Sequence, residues 1–126
     1  MSSLHLPPAE ADALQETLLG EALEHGPVGA IVLDENGRYL AANRMACQLT
    51  GYDRGELLAL SPSDLAVDRA AARDKLLEMA SGELEEGSTW LRCKDGATLP
   101  VEYRVGATRS GGLPYFVLVF WEASGS

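Results

Sequence analysis

The sequence is poor in cysteine and contains no long apolar run. Its two cysteines, Cys47 and Cys93, form neither a C-x-x-C pair nor a metal-ligand spacing, which favours free thiols in an intracellular protein. No apolar stretch approaches the ~18–20 residues that a transmembrane helix needs. The start of the chain also lacks the basic and apolar regions of a signal peptide. We therefore expect a cytoplasmic protein that does not bind a membrane.

Basic residues are also scarce, 10 against 19 acidic ones, which gives a net charge of −9. Clustered lysine and arginine bind the phosphate backbone of nucleic acids, so we expect no nucleic-acid partner for this domain. The charge is better explained as a source of solubility. At 126 residues the chain is long enough for one domain with a packed core.

Signatures of catalysis are missing as well. The sequence contains no P-loop, no GxSxG, no HExxH and no GxGxxG after a predicted strand. Its two histidines, His5 and His25, both precede the predicted core, so neither is placed beside a cysteine as a base. We expect no catalytic residue, no metal site and therefore no enzyme activity.

What the sequence does contain is a series of structural signals in residues 31–57. An apolar strand leads into Asn36-Gly37, a hairpin signal because both residues tolerate a positive φ. Asn43 suits the N-cap of a short helix. Gly51 suits its end because glycine adopts the left-handed conformation there. These residues predict a strand, a turn, a second strand and a capped helix.

Further elements follow in the second half of the chain. Residues 68–80 predict a helix, and residues 88–121 predict three strands with a turn at Asp95-Gly96 between the first two. Tight turns between strands imply antiparallel pairing. The predicted fold class is α+β: a five-stranded antiparallel sheet with helices on one face, preceded by an amphipathic helix at residues 9–25.

The order and spacing of these signals resemble the PAS family of sensory domains. The matching residues extend across most of the chain: Asp34, Gly37, Asn43, Gly51-Tyr52, Glu56-Leu57, Lys94-Asp95-Gly96 and Pro100-Val101-Glu102. The resemblance implies a PAS-like sensor domain at residues 26–122, after a flexible lead at 1–8 and a flanking helix at 9–25. It also implies that the tail at 123–126 leads toward an output domain.

In this family a helix that flanks the core packs back on its own domain, forms a dimer contact, or does both, and the sequence leaves these alternatives open. The candidate contact residues on the helix are Leu14, Leu18, Leu19, Ala22 and Leu23. Aromatic side chains that alternate with arginines on the outer sheet face are typical of interfaces. The candidate contact residues there are Trp90, Tyr115 and Trp121.

PAS-like domains hold different cofactors between sheet and helices, and the resemblance implies particular residues for each. Haem-binding members use a histidine from the helix before the third strand, and residues 68–80 contain none. Light-oxygen-voltage members use a cysteine shortly after the Gly-Tyr…Glu-Leu segment, where this sequence reads LALSPSDLA. Their polar flavin-binding positions correspond to Leu91, Val101 and Phe120, which would leave flavin amides unpaired at ~1–3 kcal/mol each. Haem and flavin are therefore both disfavoured.

The alternation along the strands predicts which side chains face the helices. The candidate pocket residues of the sheet are Ile31, Leu33, Leu91, Val101, Tyr103, Leu118 and Phe120. We expect Ala46, Leu49 and Tyr52, on the capped helix and just after it, to form the opposite wall, where the small side chain of Ala46 leaves space. One interpretation is a filled core, since native interiors are close-packed. The other is a pocket for an apolar or aromatic ligand, anchored by the hydroxyl of Tyr52 or Tyr103.

The resemblance therefore implies a sensory and dimerisation module of a signal-transduction or transcription-regulatory protein, without catalysis of its own. Its expected partners are a second copy of the chain and an output domain such as a histidine kinase, a diguanylate cyclase or a transcription factor. The alternative, of a different class, is a receptor for an apolar or aromatic small molecule.

Overall fold

The computed structural model describes residues 8–83, 85–110 and 112–124, and within them the chain forms five helices and five strands. The helices are α1 (Pro8–Glu24), α2 (Arg44–Thr50), α3 (Arg54–Leu58), α4 (Pro62–Leu65) and α5 (Arg69–Ser81). The strands are β1 (Gly29–Asp34), β2 (Tyr39–Ala42), β3 (Glu86–Arg92), β4 (Thr98–Ser110) and β5 (Leu113–Glu122). Most of the predicted lead and half of the predicted tail lie outside the described residues.

The five strands form one antiparallel sheet in the order β2-β1-β5-β4-β3. Because β5 returns to the free side of β1, the first and last strands of the chain meet in the centre of the sheet. The buried core lies on one face, and helices α2 to α5 cover that face. The predicted fold class is confirmed.

Both predicted hairpins are present. In each loop the glycine is the one residue with a positive φ. In the first loop the N–H of Gly37 bonds to the carbonyl of Asp34, which pairs with Arg38 across the loop. The Asp34 carboxylate accepts the N–H groups of Asn36 and Arg38, each at 2.9 Å. Only Gly37 is left-handed there, with φ 83°, and Gly96 repeats the pattern with φ 89°. Asn36 does not use the positive φ that it tolerates, because an ordinary turn followed by a single glycine closes this loop.

Asn43 is the N-cap of α2, as predicted, and its side chain also joins three other segments. Its Oδ1 accepts the N–H of Ala46 in α2 at 3.0 Å and that of Ala30 in β1 at 2.8 Å. Its Nδ2 donates to the carbonyls of Leu23, in α1, at 2.6 Å and Val28 at 2.9 Å. The side chain is buried, so an apolar residue here would leave four backbone groups without this partner.

Helices α2 and α3 lie directly on the sheet, α2 against β1 and α3 against β2. The side chains of Leu33, Ala46, Thr50 and Leu57 beneath them are fully buried. A reciprocal capping box, which the sequence reading missed, fixes the start of α3: Asp53 and Glu56 each accept the other's backbone N–H. This part of the inner sheet face is closed and is called the packed half below.

Helices α4 and α5 cover the other part of the inner face less closely. α4 contacts β3, and α5 packs mainly against α4. A methyl of Leu76, in α5, lies 2.9 Å from the point where a Cβ on Gly37 would stand, so α5 also rests on the β1–β2 loop. Supported at these points, α5 leaves a space between itself and the sheet.

Candidate functional site

The space under α5 is a cavity of about 90 Å³ that is partly open to solvent. Its sheet wall consists of Ile31, Tyr39, Thr89, Leu91, Val101, Tyr103, Leu118 and Phe120. Its helical wall and rim consist of Pro62, Leu65, Ala66, Asp68, Ala72, Lys75 and Met79. Most of these side chains are apolar, so the cavity is suited to an apolar group. The region around it is called the cavity half below.

Six of the ten predicted pocket residues line this cavity: Ile31, Leu91, Val101, Tyr103, Leu118 and Phe120. The other four do not. Leu33 and Ala46 are fully buried in the packed half, and Leu49 and Tyr52 pack against the same core. The expectation that α2 forms the opposite wall is corrected: α2 sits too close to β1 to leave a gap, and the wall comes from α4 and α5.

Several cavity residues were missed by the sequence reading, and two signals point to them. Ala72, Lys75 and Met79 lie at a spacing that puts them on one face of α5. Tyr39 faces inward because a register shift in the β1–β2 ladder leaves Leu40 exposed instead. The first signal is readable in the sequence, whereas the second depends on the strand pairing.

Two aromatic rings of the sheet wall lie against glycines of the neighbouring strands. Phe120 pairs with Gly29, and a Cβ on that glycine would stand 2.6 Å from the ring. Tyr103 pairs with Gly87, and a Cβ there would stand 2.6 Å from the hydroxyl oxygen. Both rings therefore occupy the space that a side chain would fill on the partner strand. Because both residues also line the cavity, two aromatic rings form part of its sheet wall.

The polar groups of the cavity are mainly hydroxyls. Among the described residues, no hydrogen bond joins the hydroxyl of Tyr39 or Tyr103 to another protein group. Burial raises the pKa of Tyr39, and the charge of Asp64 raises it further. The pKa of Tyr103 is also raised, first by burial and then by Glu78. Both hydroxyls are thus neutral at physiological pH and free to donate or accept.

One cation stands at the cavity. The ammonium of Lys75 lies 5.5 Å from the centroid of the Tyr103 ring, within the range of a cation–π contact. Asp68 also lies at the rim, where its carboxylate caps α5 by accepting the N–H of Ala71 at 3.1 Å. The rim therefore carries both signs of charge.

Neither cysteine takes part in this site. Cys93 donates its Sγ–H to the carbonyl of Leu49 at 3.4 Å, and Cys47 lies on α2. Burial raises the pKa of both thiols, which keeps them protonated. Neither side chain is part of the cavity lining.

The cavity residues do not fit flavin or haem. Leu91, Val101 and Phe120 present apolar groups where the ring edge of a flavin needs hydrogen bonds. No histidine or cysteine is among the described residues that line the cavity, so neither an axial ligand nor an adduct-forming thiol is at hand. The volume of about 90 Å³ is also small for either group.

A second candidate surface is α1, whose leucines face solvent. Leu14, Leu18, Leu19 and Leu23 are 42%, 59%, 61% and 39% exposed, and Ala22 is exposed as well. A substantial part of each of these side chains is therefore accessible to a partner.

Only the last turn of α1 is tied to the core in the described residues. Asn43 donates to the carbonyl of Leu23 at 2.6 Å. Arg54 forms an ion pair with Glu24 and donates its Nε–H to the carbonyl of Ala42 at 3.0 Å. α1 is thus attached through its last turn, and the leucines described above are accessible to a partner.

The outer sheet face is the third feature. Trp90 is 55% exposed, while Tyr115 and Trp121 are half-buried. The indole N–H of Trp121 donates to the carboxylate of Glu102 at 3.0 Å. These three aromatic side chains lie on the sheet face opposite the cavity.

Neither a membrane-spanning helix nor a metal-binding cluster is present in the part of the chain that the structure describes. No helix there is both long enough and apolar enough to span a membrane. No three His, Cys, Asp or Glu side chains within it come together as ligands for a metal ion.

Comparisons with solved structures show which known proteins have a similar fold. A domain of a sensory box sensor histidine kinase/response regulator from Geobacter sulfurreducens is 26% identical with a TM-score of 0.78, covering 87% of this chain and 96% of that one. The PAS domain of nitrogen regulation protein NR(II) from Vibrio parahaemolyticus is 18% identical with a TM-score of 0.67, covering 84% and 98%. A light-oxygen-voltage domain studied with a flavin analogue is 22% identical with a TM-score of 0.70, covering 85% of each chain.

Of the two sequence comparisons, the one with family models agrees with the structural comparisons on the family. The search of curated proteins finds no match. The family model described as the PAS fold, in contrast, matches residues 17–122, which include every strand of the sheet and helices α2 to α5. With this match over most of its length and the five-stranded sheet described above, the chain belongs to the PAS family.

Proposed function

We propose that the chain is a cytoplasmic sensory and dimerisation module that regulates an output domain and has no catalytic activity of its own. The observation that carries the proposal is α1, whose leucines face solvent while its last turn is bonded to the core. Pairing with a second copy removes that apolar surface from water. The attachment at Asn43 and Arg54 then transmits a change in the core to the paired helices.

The relatives support a role in signalling. Among the similar structures are a PAS domain from a two-component sensor histidine kinase and the PAS domain of a nitrogen regulation protein. We propose that an output domain of a comparable kind, in the same chain or in a partner chain, is the target of this module.

The size of a stable interface supports a contribution from the sheet. A specific dimer buries about 800 Å² per partner. α1 has 17 residues, so it is about 25 Å long and one of its faces presents less than that area. The outer sheet face supplies the remainder through Trp90, Tyr115 and Trp121. The proposed interface therefore combines both surfaces.

Solution mass tests the dimer. We expect a dimeric mass by multi-angle light scattering and a monomeric mass for Leu14→Glu or Leu18→Glu, because either change puts a charge in the contact. Leu77→Glu is the matched control, since Leu77 is 65% exposed on α5 and lies outside the proposed interface. A wild-type chain that stays monomeric at high concentration, unaffected by the α1 changes, would remove the dimer from the proposal.

A second function, a receptor for an apolar or aromatic small molecule, is favoured by the cavity. Side chains that line an open space of about 90 Å³ lack some of the packing contacts that they would have in a filled core. A ligand of the right size recovers the lost contacts. Native mass spectrometry and an absorbance scan of freshly purified protein test this function. A bound mass is the expected result, and the absence of any bound mass or ligand band leaves only the interaction role.

A further inference from the structure

We propose that the cavity under α5 binds a small, uncharged, monocyclic aromatic molecule with one hydroxyl group, of which phenol is the simplest member. This inference rests on the second proposed function, the small-molecule receptor, and names the class of ligand. It is carried by three observations: the volume of the cavity, its aromatic walls and the kind of polar group that its lining offers.

The volume limits the ligand to about one ring. The cavity measures about 90 Å³, and an engineered cavity of about 150 Å³ holds a single benzene molecule. This cavity is smaller but partly open to solvent, so a six-membered ring would have one edge in the mouth. A fused two-ring molecule needs more room than the walls leave.

The walls of the cavity favour an aromatic ligand. Tyr39, Tyr103 and Phe120 contribute rings, and Ile31 and Leu118 contribute branched aliphatic groups. The rings of Phe120 and Tyr103 are held in place over Gly29 and Gly87. Aromatic pairs favour offset or edge-to-face contacts, and fixed rings provide them without reordering the site.

The polar groups select a hydroxyl. Tyr39, Tyr103 and Thr89 are the lining residues that carry a hydroxyl, and no hydrogen bond joins the two tyrosine hydroxyls to other described groups. Such groups donate and accept, so they pair with a ligand hydroxyl in either direction. A ligand without a polar atom leaves them unpaired, which lowers its affinity.

The charges near the cavity disfavour an anion. The negative charges of Asp64 and Glu78 act on Tyr39 and Tyr103, and Asp68 lies at the rim. The one cation that lines the cavity, Lys75, already stands over the Tyr103 ring. Burying a ligand carboxylate among apolar walls without a dedicated partner is costly. The ligand class is therefore neutral.

A titration of the full ¹⁵N-labelled chain with four probes tests the ligand class. Phenol is expected to shift the amide signals of the residues around the cavity and to bind about two- to tenfold more tightly than toluene, the effect of one net hydrogen bond. Benzoate is expected to bind at least about tenfold more weakly than phenol, and 1-naphthol to leave the cavity signals unshifted. Equal binding of phenol and toluene, or tighter binding of benzoate or 1-naphthol, overturns the proposal.

Two kinds of variant locate the site. Ala72→Phe places a ring in the cavity and is expected to weaken phenol binding at least tenfold, whereas Ala70→Phe, at an exposed position of the same helix, leaves binding unchanged. Tyr39→Phe and Tyr103→Phe each remove one hydroxyl. At least one of them is expected to bring the phenol-to-toluene affinity ratio close to one without weakening toluene binding. A ratio that persists in both variants contradicts the assigned hydrogen bond.

The outcomes separate the ligand class from the receptor function. If a larger or charged probe, or a copurified molecule of another kind, occupies the cavity, the receptor function stands and the phenolic class is wrong. If neither the probes nor a copurified molecule binds, both are wrong, and the dimer proposal is judged by solution mass alone. The wild-type titration needs no substitution, so a variant that fails to fold does not affect its result.

Discussion

The two halves of the inner sheet face differ although one sheet underlies both. In the packed half, α2 and α3 lie on β1 and β2, and Leu33, Ala46 and Leu57 are fully buried. In the cavity half, α5 rests on α4 and on the β1–β2 loop, and about 90 Å³ remains open beneath it. The difference lies in how each helix is attached rather than in the strands.

The attachments of the packed half are polar and specific. Asn43 bonds to four backbone groups, and the Asp53–Glu56 capping box fixes α3. Lys94, in the β3–β4 loop, donates its backbone N–H to Thr50 and its ammonium to Glu56. These bonds hold the helices at a fixed height above the sheet. The packed half is therefore a frame held by specific bonds, beside a space that those bonds leave open.

The largest effect is expected for Asn43→Ala. The change removes the N-cap of α2 and leaves the N–H groups of Ala30 and Ala46 and the carbonyls of Leu23 and Val28 without their partner. Unpaired buried groups cost ~1–3 kcal/mol each, and relaxation and water recover part of that. We expect a loss of about 3–5 kcal/mol in the free energy of unfolding, measured by urea denaturation.

Asn36→Ala is the matched control for Asn43. Asn36 is exposed in the β1–β2 loop, where its backbone N–H rather than its side chain makes the bond to Asp34. Its loss should change the free energy of unfolding by less than about 0.5 kcal/mol, as for most surface substitutions. A loss below about 1 kcal/mol for Asn43→Ala would show that this side chain does not hold the packed half together.

The second prediction contrasts one alanine from each half. Ala46→Leu adds three carbon atoms to a fully buried site in the packed half and should destabilise the fold by about 1–3 kcal/mol. Ala72→Leu adds the same atoms toward the cavity and should leave stability unchanged or raise it by up to about 1 kcal/mol. Thermal and urea unfolding of both variants measure the difference. Equal losses would mean that the cavity half is as tightly filled as the packed half.

The third prediction contrasts two glycines that face aromatic rings. Gly29→Ala pushes against Phe120, a fully buried ring at the centre of the sheet, and should cost about 1–2 kcal/mol. Gly87→Ala pushes against Tyr103, whose hydroxyl end lies over the edge strand β3 beside the cavity, and should cost less than about 1 kcal/mol. Urea denaturation measures both costs. A greater cost at Gly87 would show that the Tyr103 ring is fixed as firmly as that of Phe120.

Much of the frame was predictable because its signals are local. The N-cap at Asn43 and the helix end at Gly51 each depend on a few neighbouring residues, and both are present. The alternation in β4 correctly separated buried Val101 and Tyr103 from exposed Glu102. The fold class followed from these signals, since tight turns allow only antiparallel pairing.

The cavity was only partly predictable because the distance between a helix and the sheet is not determined by neighbouring residues in the sequence. The strand pattern identified Leu91, Val101 and Phe120, which do line it. The small size of Ala46 placed that helix residue in the predicted pocket, yet α2 approaches the sheet and fills the space. The distance of a helix from a sheet depends on its supports, such as the contact of Leu76 with Gly37. That contact joins residues far apart in the sequence.

The smallest effect on stability is expected for the ion pair that joins the packed half to the β3–β4 loop. The ammonium of Lys94 lies 2.6 Å from the carboxylate of Glu56, on the surface. The hydrogen bond from Lys94 is the main cause that lowers the pKa of Glu56, and the same bond raises the pKa of Lys94. Exposed ion pairs contribute little to stability, so the pH dependence of the contribution is more informative than its size.

The sign of that dependence follows from the two shifts. Glu56 has a lower pKa in the folded state, so its contribution is present above the ordinary glutamate pKa and is lost as the pH falls through the lowered value. Lys94 has a raised pKa, so its contribution is present below the ordinary lysine pKa and is lost as the pH rises through the raised value. The pair should therefore stabilise the fold fully between the ordinary pKa of glutamate and the ordinary pKa of lysine.

Glu56→Gln tests this window, with Glu35→Gln in an exposed turn as control. The melting temperature of Glu56→Gln should lie slightly below that of the wild type at neutral pH. The gap should close in acid, because the wild-type carboxyl is then protonated as well, and it should narrow in high salt. A gap that persists at low pH would assign the effect to the glutamate side chain as a cap of α3 rather than to its charge. The bond between Lys94 and Thr50 would then be the link that holds the loop to the packed half.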